Sequence, residues 1–301
     1  MNGLKKIVWL IACVIMCAML AGCGGEKKAA GDGKVHIVTS FYPMYIDVIN
    51  ITKGVEGVEV SNMTEPQTGC LHDYQLTTKD MKTLESADIF VVNGAGMESF
   101  MGKVIESHKN LKVIDASKWD EIKFIEQDGE PNPHVWMSVT YSMMQVKEIV
   151  RELCAADPAH ADAYRKNALT YVNRLTDLRH EMHDALDDLP NKDIVTFHEA
   201  FPYFAKEFKL NIVSVIEREP GTEPTPAELE KTIEQVNASC TKALFTEPQH
   251  SPKAAETIAS ATGATIYTLD PIVTGEAKET AADDYINRMR ANMETLKEAL
   301  K

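Results

Sequence analysis

The stretch "VHIVTS" (35–40) is the first of eight short apolar runs that decide the fold. β-Branched residues dominate this run, and a longer helical or polar segment separates it from the next one. The same alternation recurs at "VEVSN" (58–62), "IFVVN" (89–93) and "KVIDA" (112–116), and again at "DIVTF" (193–197), "NIVSVI" (211–216), "ALFTE" (243–247) and "TIYTL" (265–269). Buried strands that alternate with helices are typical of parallel sheets with helices on their faces. Two groups of four runs therefore predict an α/β protein with two lobes.

A long segment with helical spacing lies between the two groups. Asp157 and Pro158 predict an N-cap and a first-turn proline, and residues 159–189 contain no Gly or Pro. Apolar residues recur on one face of this segment until Pro190 ends the pattern. At 1.5 Å per residue, such a helix would be roughly 45 Å long, which is more than a crossover within one lobe needs. We therefore predict an N-terminal lobe at 35–156, a linking helix at 157–189 and a C-terminal lobe at 190–301.

The first residues predict export from the cytoplasm. Lys5 and Lys6 precede an apolar run, 7–20, that is short for a membrane span. The ending "LAGC" resembles a bacterial lipoprotein signal, which implies cleavage before Cys23 and a lipid on its sulfur. We expect a signal peptide at 1–22, a flexible polar tether at 23–34 and a protein anchored to a membrane, at the cell surface or in the periplasm. An uncleaved anchor helix is the alternative.

The composition argues against several classes of function. The net charge is −14, and removal of residues 1–22 takes away two lysines and no acid, which leaves −16. A field of this sign opposes nucleic-acid binding and favours cations. The chain lacks the G-x-S-x-G, Walker and H-E-x-x-H motifs, and "NGAGME" (93–98) predicts a turn rather than a phosphate cradle. We therefore predict a binding protein and not an enzyme.

Four side chains predict a metal site between the lobes. His72 lies in a loop, "GCLHDYQLTTKDM" (69–81), and His134 follows Pro133 in "EPNPHVWMSV" (130–139). His198 and Asp270 each follow a predicted strand, where open α/β sheets gather their ligands. Three imidazoles and a carboxylate suit Zn²⁺ better than Mn²⁺ or Ca²⁺, which prefer more oxygen ligands. The spacing is dispersed, so a structural role for each histidine stays open on this pattern alone.

A set of ordered motifs resembles the metal-binding lipoproteins of ABC importers for zinc and manganese. The motifs are, in order, "FYPMYIDVINIT", "CLHDYQLTTKDM", "VVNGAGMESF", "NPHVWMSV", "TFHEAFPYFAKEFKL", "EPTPAELEKTIEQV", "FTEPQHSPKAAETIA" and "TLDPI". The resemblance covers nearly all of residues 35–300. It implies two (β/α) lobes joined by one long helix, a metal ion in the cleft, and a monomer that delivers this ion to a permease and its ATPase.

The resemblance also implies roles for single residues. The family's ligand positions match His72, His134, His198 and Asp270. Manganese members usually carry glutamate at the third position and zinc members usually histidine, so His198 favours Zn²⁺ over Mn²⁺. Glu247 matches an acidic position near the family's site, and Glu199 adjoins His198. We expect Glu247 to lie beside the ligands and to orient a ligand histidine. Glu199 keeps a further oxygen near the site as an alternative.

The chain departs from the family pattern in two places. The segment "EIKFIEQDGEPN" (121–132) lacks the histidines that many zinc members carry there, so we expect no metal-collecting loop. Cys70 lies two residues before His72, and a thiolate ligand at this position is an alternative that the complete set of four disfavours. Other classes of protein also stay open: a manganese or iron receptor of the same family, a zinc hydrolase, and a surface adhesin with a structural metal.

Overall fold

The computed structural model describes residues 33–71, 74–127, 129–216, 224–239, 241–249 and 251–301. Val35–Lys301 form one compact unit. The predicted signal peptide, the lipidation site Cys23, most of the tether and His72 lie outside the described residues. Within the described part, no helix combines the length and the apolar character that a membrane span needs.

Two four-stranded parallel sheets underlie the two lobes. The strands of the first sheet are β1 (Val35–Thr39), β2 (Val58–Asn62), β3 (Ile89–Val92) and β4 (Lys112–Asp115), in the order β2-β1-β3-β4. A small antiparallel pair follows, β5 (Glu126–Gln127) and β6 (Glu130–Pro131). The second sheet contains β7 (Asp193–Thr196), β8 (Asn211–Val215), β9 (Ala243–Thr246) and β10 (Thr265–Thr268), in the order β8-β7-β9-β10. The predicted α/β fold with two parallel sheets is confirmed, and each strand ends within one residue of its predicted bounds.

Burial explains why these runs form strands. The interior strands β3 and β9 are buried along their whole length, so their sequences show no polar alternation. A core of buried side chains extends from the first sheet, through the helices, to the C-terminal end of the chain. A second cluster packs the far face of the second sheet. Each sheet is therefore covered by helices, as the alternating pattern predicts.

The helices begin and end at local sequence signals. They are α1 (Tyr42–Ile51), α2 (Thr78–Glu85), α3 (Met101–Ser107), α4 (Val139–Ala156), α5 (Ala161–Leu186), α6 (Pro202–Glu207), α7 (Pro226–Ser239), α8 (Lys253–Thr262) and α9 (Asp284–Ala299). Thr225 and Glu228 form a reciprocal capping box before α7. The Ser138 hydroxyl caps α4 by accepting the Tyr141 N–H, and Gly263, at φ 72°, ends α8.

The linking helix is shorter than predicted at its start. Residues 158–160 form a 3₁₀ turn, and α5 begins only at Ala161. The Asp157 carboxylate accepts hydrogen bonds from His160 Nδ1 and from the Tyr164 hydroxyl, both at 2.7 Å, so it holds this turn together and does not cap α5. The 26 residues of α5 span about 39 Å. The helix packs against α1 and α4 from the first half of the chain and α9 from the second half. The exact boundaries of the lobes stay a prediction.

The turn after β3 has an unusual backbone. Gly94, Ala95 and Gly96 all adopt positive φ angles, of 78°, 52° and 86°. A Cβ atom on Gly94 would lie 1.8 Å from a carboxylate oxygen of Asp115, so only glycine fits there. The sequence "NGAGME" therefore forms the tight turn that we predicted.

The buried Glu98 carboxylate stabilises this turn. It accepts hydrogen bonds from the backbone N–H groups of Asn93 and Gly94, at 2.8 and 3.0 Å, and from the Ser40 hydroxyl at 2.7 Å. The Asn93 amide then donates to the carbonyl of Pro133, 2.9 Å away. The turn thus fixes the residue that precedes His134, and the N–H groups of Asn93 and Gly94 already have the Glu98 carboxyl group as a partner.

Replacement of Glu98 by glutamine tests the electrostatics of this turn. Burial raises the pKa of Glu98 from 4.5 to about 7. Its contribution to stability is therefore full below about pH 4.5 and is lost as the pH rises through about 7. Glu98→Gln removes this titration, so its unfolding free energy should change less between about pH 5 and pH 8 than that of the wild type. The variant should also be less stable at about pH 5, by about 1–3 kcal/mol. The reason is that the glutamine NH₂ group, itself a donor, then faces one of the backbone N–H groups that the Glu98 carboxyl oxygens accept.

Urea unfolding at several pH values measures this effect. The exposed Glu106 on α3 supplies the matched control, since Glu106→Gln should leave the pH dependence unchanged. Identical pH dependence in Glu98→Gln and the wild type would contradict the prediction.

Candidate metal centre

The second sheet brings two polar side chains to the middle of its carboxyl edge. β7 ends at Thr196 and is followed by His198, while β9 ends at Thr246 and is followed directly by Glu247. β7 and β9 are neighbours at the topological switch point, where the order in which strands are added to the sheet reverses. Such points are ligand sites in α/β proteins. The His198 and Glu247 side chains are both buried, each with 2% exposure.

The loop between β6 and α4 holds His134. Residues 135–137 form a 3₁₀ turn, which places the Trp136 ring 5.2 Å from the His134 ring, centroid to centroid. The Trp136 indole N–H donates to the carbonyl of Pro271, 2.8 Å away, and so ties this loop to the one that follows β10. His134 is 1% exposed. Trp136 thus forms the apolar wall beside this histidine.

Asn132 determines which nitrogen of His134 carries the proton. The Asn132 amide nitrogen donates to Gln127 Oε1 at 2.7 Å and to the carbonyl of Glu199 at 2.9 Å. Its oxygen therefore accepts from the backbone N–H and from Nδ1 of His134, both at 3.0 Å. His134 consequently carries its proton on Nδ1 and has an unprotonated Nε2, which is the form that binds a metal ion.

Three donor atoms converge at this Nε2 atom. His198 Nε2 lies 3.2 Å from it and Cys70 Sγ lies 3.4 Å from it. All three donor atoms lie within 4.8 Å of one another, and among the described residues no other three His, Cys, Asp or Glu side chains form such a group. In the metal-free protein a proton on His198 Nε2 can be donated to the unprotonated His134 Nε2, and a bound cation would take the place of that proton. The three donor atoms are therefore close enough together to hold one cation.

The sequence disfavours Cys70 as a metal ligand, but the structure places its sulfur in the group of three donor atoms. Burial raises the pKa of the Cys70 thiol well above its usual range, and the nearby Glu247 carboxylate raises it further. The metal-free thiol is therefore protonated and a weak nucleophile. A bound divalent cation would reverse this effect and deprotonate the sulfur.

Asp270 has partners that the sequence did not reveal. One carboxylate oxygen accepts the Ile272 N–H at 2.7 Å, and the other accepts from the Arg288 guanidinium at 3.1 Å. Arg288 also donates to the carbonyl of Thr274 at 2.8 Å. Asp270 does not belong to the compact group of three donors. In this arrangement, its carboxylate stabilises the 270–274 loop.

A comparison with known families connects this geometry to a class of protein. The family model described as "Zinc-uptake complex component A periplasmic" (ZnuA) matches residues 37–299. The chain belongs to the ZnuA family. The predicted family resemblance is therefore confirmed, and the ordered motifs on which it rested span the same part of the chain.

Individual relatives of this ZnuA-family chain agree with that assignment. It is 31% identical to the zinc-binding protein AdcA of Streptococcus pyogenes, over 98% of this chain and 61% of AdcA, so it spans about three fifths of that relative's length. It is 30% identical to the high-affinity zinc uptake system protein ZnuA of Bacillus subtilis, over 98% of both chains. Among solved structures, the SBP FpvC of Pseudomonas aeruginosa in complex with Mn²⁺ matches with a TM-score of 0.79 and 32% identity, over 89% of this chain and 98% of that one.

Of the remaining predicted site residues, the structure describes Glu199 and Glu247 but not His72. His72 lies outside the described residues, so its role as a ligand stays a prediction. Glu199 contributes its backbone carbonyl to Asn132, and through that contact it supports His134. Glu247 accepts a hydrogen bond from Gln249 and lies close enough to Cys70 to influence its charge. The Glu199 backbone thus supports the loop of His134 and the Glu247 carboxylate lies near Cys70, while the predicted roles of both carboxylates stay predictions.

Replacement of Asn132 by alanine tests whether it orients the ligand. Asn132→Ala should weaken zinc binding by about 10–100-fold, because His134 loses the acceptor that fixes its ring and its proton. Competition with a chromophoric zinc chelator measures the affinity. Asn167→Ala serves as the matched control, since the Asn167 amide on α5 donates to the carbonyls of Ile51 and Lys53 and does not contact the site. Equal zinc affinity in the two variants would argue against an orienting role.

Proposed function

We propose that this chain is an extracytoplasmic zinc-binding lipoprotein that captures Zn²⁺ and delivers it to an ABC importer. The observation that carries this proposal is the pair of buried imidazole nitrogens of His134 and His198, 3.2 Å apart. The names of its relatives AdcA and ZnuA, a zinc-binding protein and a zinc uptake protein, support zinc as the ion.

The spacing of the two nitrogens supports one shared ion. Zn–N bonds of about 2.0–2.1 Å at tetrahedral angles place two ligand nitrogens roughly 3.3–3.4 Å apart. The observed 3.2 Å requires only a slight separation of the His134 and His198 rings. His72 and Asp270 are the candidates that the sequence offers for the remaining positions.

The donor types support zinc over manganese. Imidazole nitrogen and sulfur lie in the compact group, whereas Mn²⁺ prefers carboxylate and other oxygen ligands. The Mn²⁺ complex of FpvC keeps a manganese receptor as the second candidate. A zinc hydrolase needs an open coordination position and a general base. Burial of both histidine rings supports a closed site without catalysis.

The proposed partners follow from the same function. A permease and its ATPase would accept the ion, and a lipid on Cys23 would keep the protein near them. The net charge of −14 favours cations and opposes binding to nucleic acid. We infer that the protein acts as a monomer and that the ion leaves after a modest rearrangement of the loops that carry the ligands.

Alanine substitutions of the two histidines test the site. His134→Ala and His198→Ala should each weaken Zn²⁺ binding by more than about 100-fold, because a lost ligand costs more than a lost outer partner. Calorimetric titration of the metal-stripped protein measures the change. His108→Ala is the matched control, since this half-buried ring contacts only the carbonyl of Val104 among the described hydrogen-bond partners. Tighter binding of Mn²⁺ than of Zn²⁺ by the wild type would overturn the choice of zinc.

Growth under zinc limitation tests delivery to an importer. A strain without this gene, and without a redundant zinc importer, should grow poorly when a chelator restricts zinc. The wild-type gene should restore growth, whereas a gene encoding His134→Ala together with His198→Ala should not, because its product cannot hold the ion. Normal growth of the deletion strain would favour the adhesin alternative.

A further inference from the structure

We propose that the Cys70 thiolate is a zinc ligand alongside His134 and His198, and that Asp270 keeps its ion pair with Arg288. This inference rests on the proposed function, because it assigns a further ligand to the same site. It also replaces one member of the ligand set that the sequence predicts.

The distances around Cys70 match those of a tetrahedral zinc site. With a Zn–S bond of about 2.3 Å and Zn–N bonds of about 2.0–2.1 Å, a sulfur and a nitrogen on the same ion lie roughly 3.5–3.6 Å apart. Cys70 Sγ lies 3.4 Å from His134 Nε2, and His134 Nε2 lies 3.2 Å from His198 Nε2. The remaining separation, between the sulfur and His198, is within 4.8 Å. A single ion therefore reaches all three donors after a small adjustment of the side chains.

The chain on either side of Cys70 is fixed by contacts that do not involve the metal. Leu71 is fully buried, and its backbone N–H donates to the sulfur of Met97 at 3.3 Å. The Leu71 carbonyl accepts the Tyr74 N–H, and the carbonyl of Pro66 accepts the Gly275 N–H at 2.8 Å. The backbone that carries the thiol is thus held in place, which pre-organises the sulfur toward the two imidazoles.

Asp270 would have to break established contacts to reach the ion. Its two oxygens are used by the Ile272 N–H and by Arg288, whose side chain is itself partly buried. Withdrawal of the carboxylate would leave that N–H and the guanidinium without this partner. Cys70 supplies the same single negative charge to the ion as Asp270 would, so the charge balance of the site does not depend on Asp270.

A thiolate ligand changes which ions the site prefers. When Zn²⁺ binds, the Cys70 S–H bond breaks, the proton passes to solvent and the sulfur donates its electron pair to the metal, with no change in oxidation state. Sulfur is a softer donor than carboxylate oxygen, so it favours Zn²⁺ and Cd²⁺ over Mn²⁺. Cys70 is therefore a specificity-determining residue.

Cobalt substitution in the full-length chain tests this assignment under reducing conditions. The wild type loaded with Co²⁺ should show an intense sulfur-to-cobalt charge-transfer band in the near ultraviolet. The band should be absent from Cys70→Ser and from Cys70→Ala, and present in Asp270→Asn. Cys154→Ser is the matched control, because Cys154 is the other free thiol among the described residues and its sulfur contacts the carbonyl of Ala161 instead. This control should keep the band.

Affinities for three metals complete the experiment. Cys70→Ser should bind Zn²⁺ at least about 10-fold more weakly, bind Cd²⁺ more weakly still, and bind Mn²⁺ with little change. An unchanged band and unchanged zinc affinity in both Cys70 variants would overturn the proposal, as would loss of zinc binding in Asp270→Asn alone. If the wild type binds neither zinc nor cobalt, the proposed function fails as well. If only the Cys70 proposal is wrong, the wild type and the Cys70 variants will instead bind zinc equally well.

Discussion

The close approach of two buried imidazole nitrogens is the constraint on which the proposed site depends. His134 Nε2 and His198 Nε2 lie 3.2 Å apart with almost no contact with water, and either a shared proton or a bound cation satisfies this contact. The fold maintains this contact from both sides. The carboxyl end of β7 fixes His198, while the hydrogen bonds of Asn93 and Asn132 fix the loop of His134. The packing of the two halves thus holds the two proposed ligands together.

The two halves are joined by polar contacts that lie outside the donor group. The Glu207 carboxylate, at the end of α6, accepts hydrogen bonds from the Ser138 hydroxyl at 2.6 Å, from the Thr140 hydroxyl at 2.6 Å and from Arg179 at 3.1 Å. The Tyr285 hydroxyl donates to the carbonyl of Trp136 at 2.7 Å. Such contacts oppose a wide hinge motion, because opening would leave a buried carboxylate without its donors. Movement that releases an ion is therefore expected in the loops.

The sequence predicts the fold well because burial in parallel sheets has a local signature. Short apolar runs specify all eight long strands. The sequence predicts His198 as a site residue because it follows one of those strands. Asp270 is predicted in the same way. Its ion pair with Arg288 joins residues 18 positions apart, so no local sequence pattern predicts that contact. The 3₁₀ turn before α5 is not predicted for the same reason, because it depends on hydrogen bonds from His160 and Tyr164 to the Asp157 carboxylate. The place of Cys70 depends on how distant loops pack, which spacing along the chain does not reveal.

The burial of His134 and His198 has a kinetic consequence. With 1% and 2% of their surfaces exposed, neither ring would exchange a metal ion of the proposed site with water until a surrounding loop opened. The residence time of an ion at the proposed site would then depend on how often that loop opens, and not on bond strength alone. The same opening admits the ion. A partner that only lowers the barrier to opening would therefore speed both entry and exit and leave the equilibrium affinity unchanged.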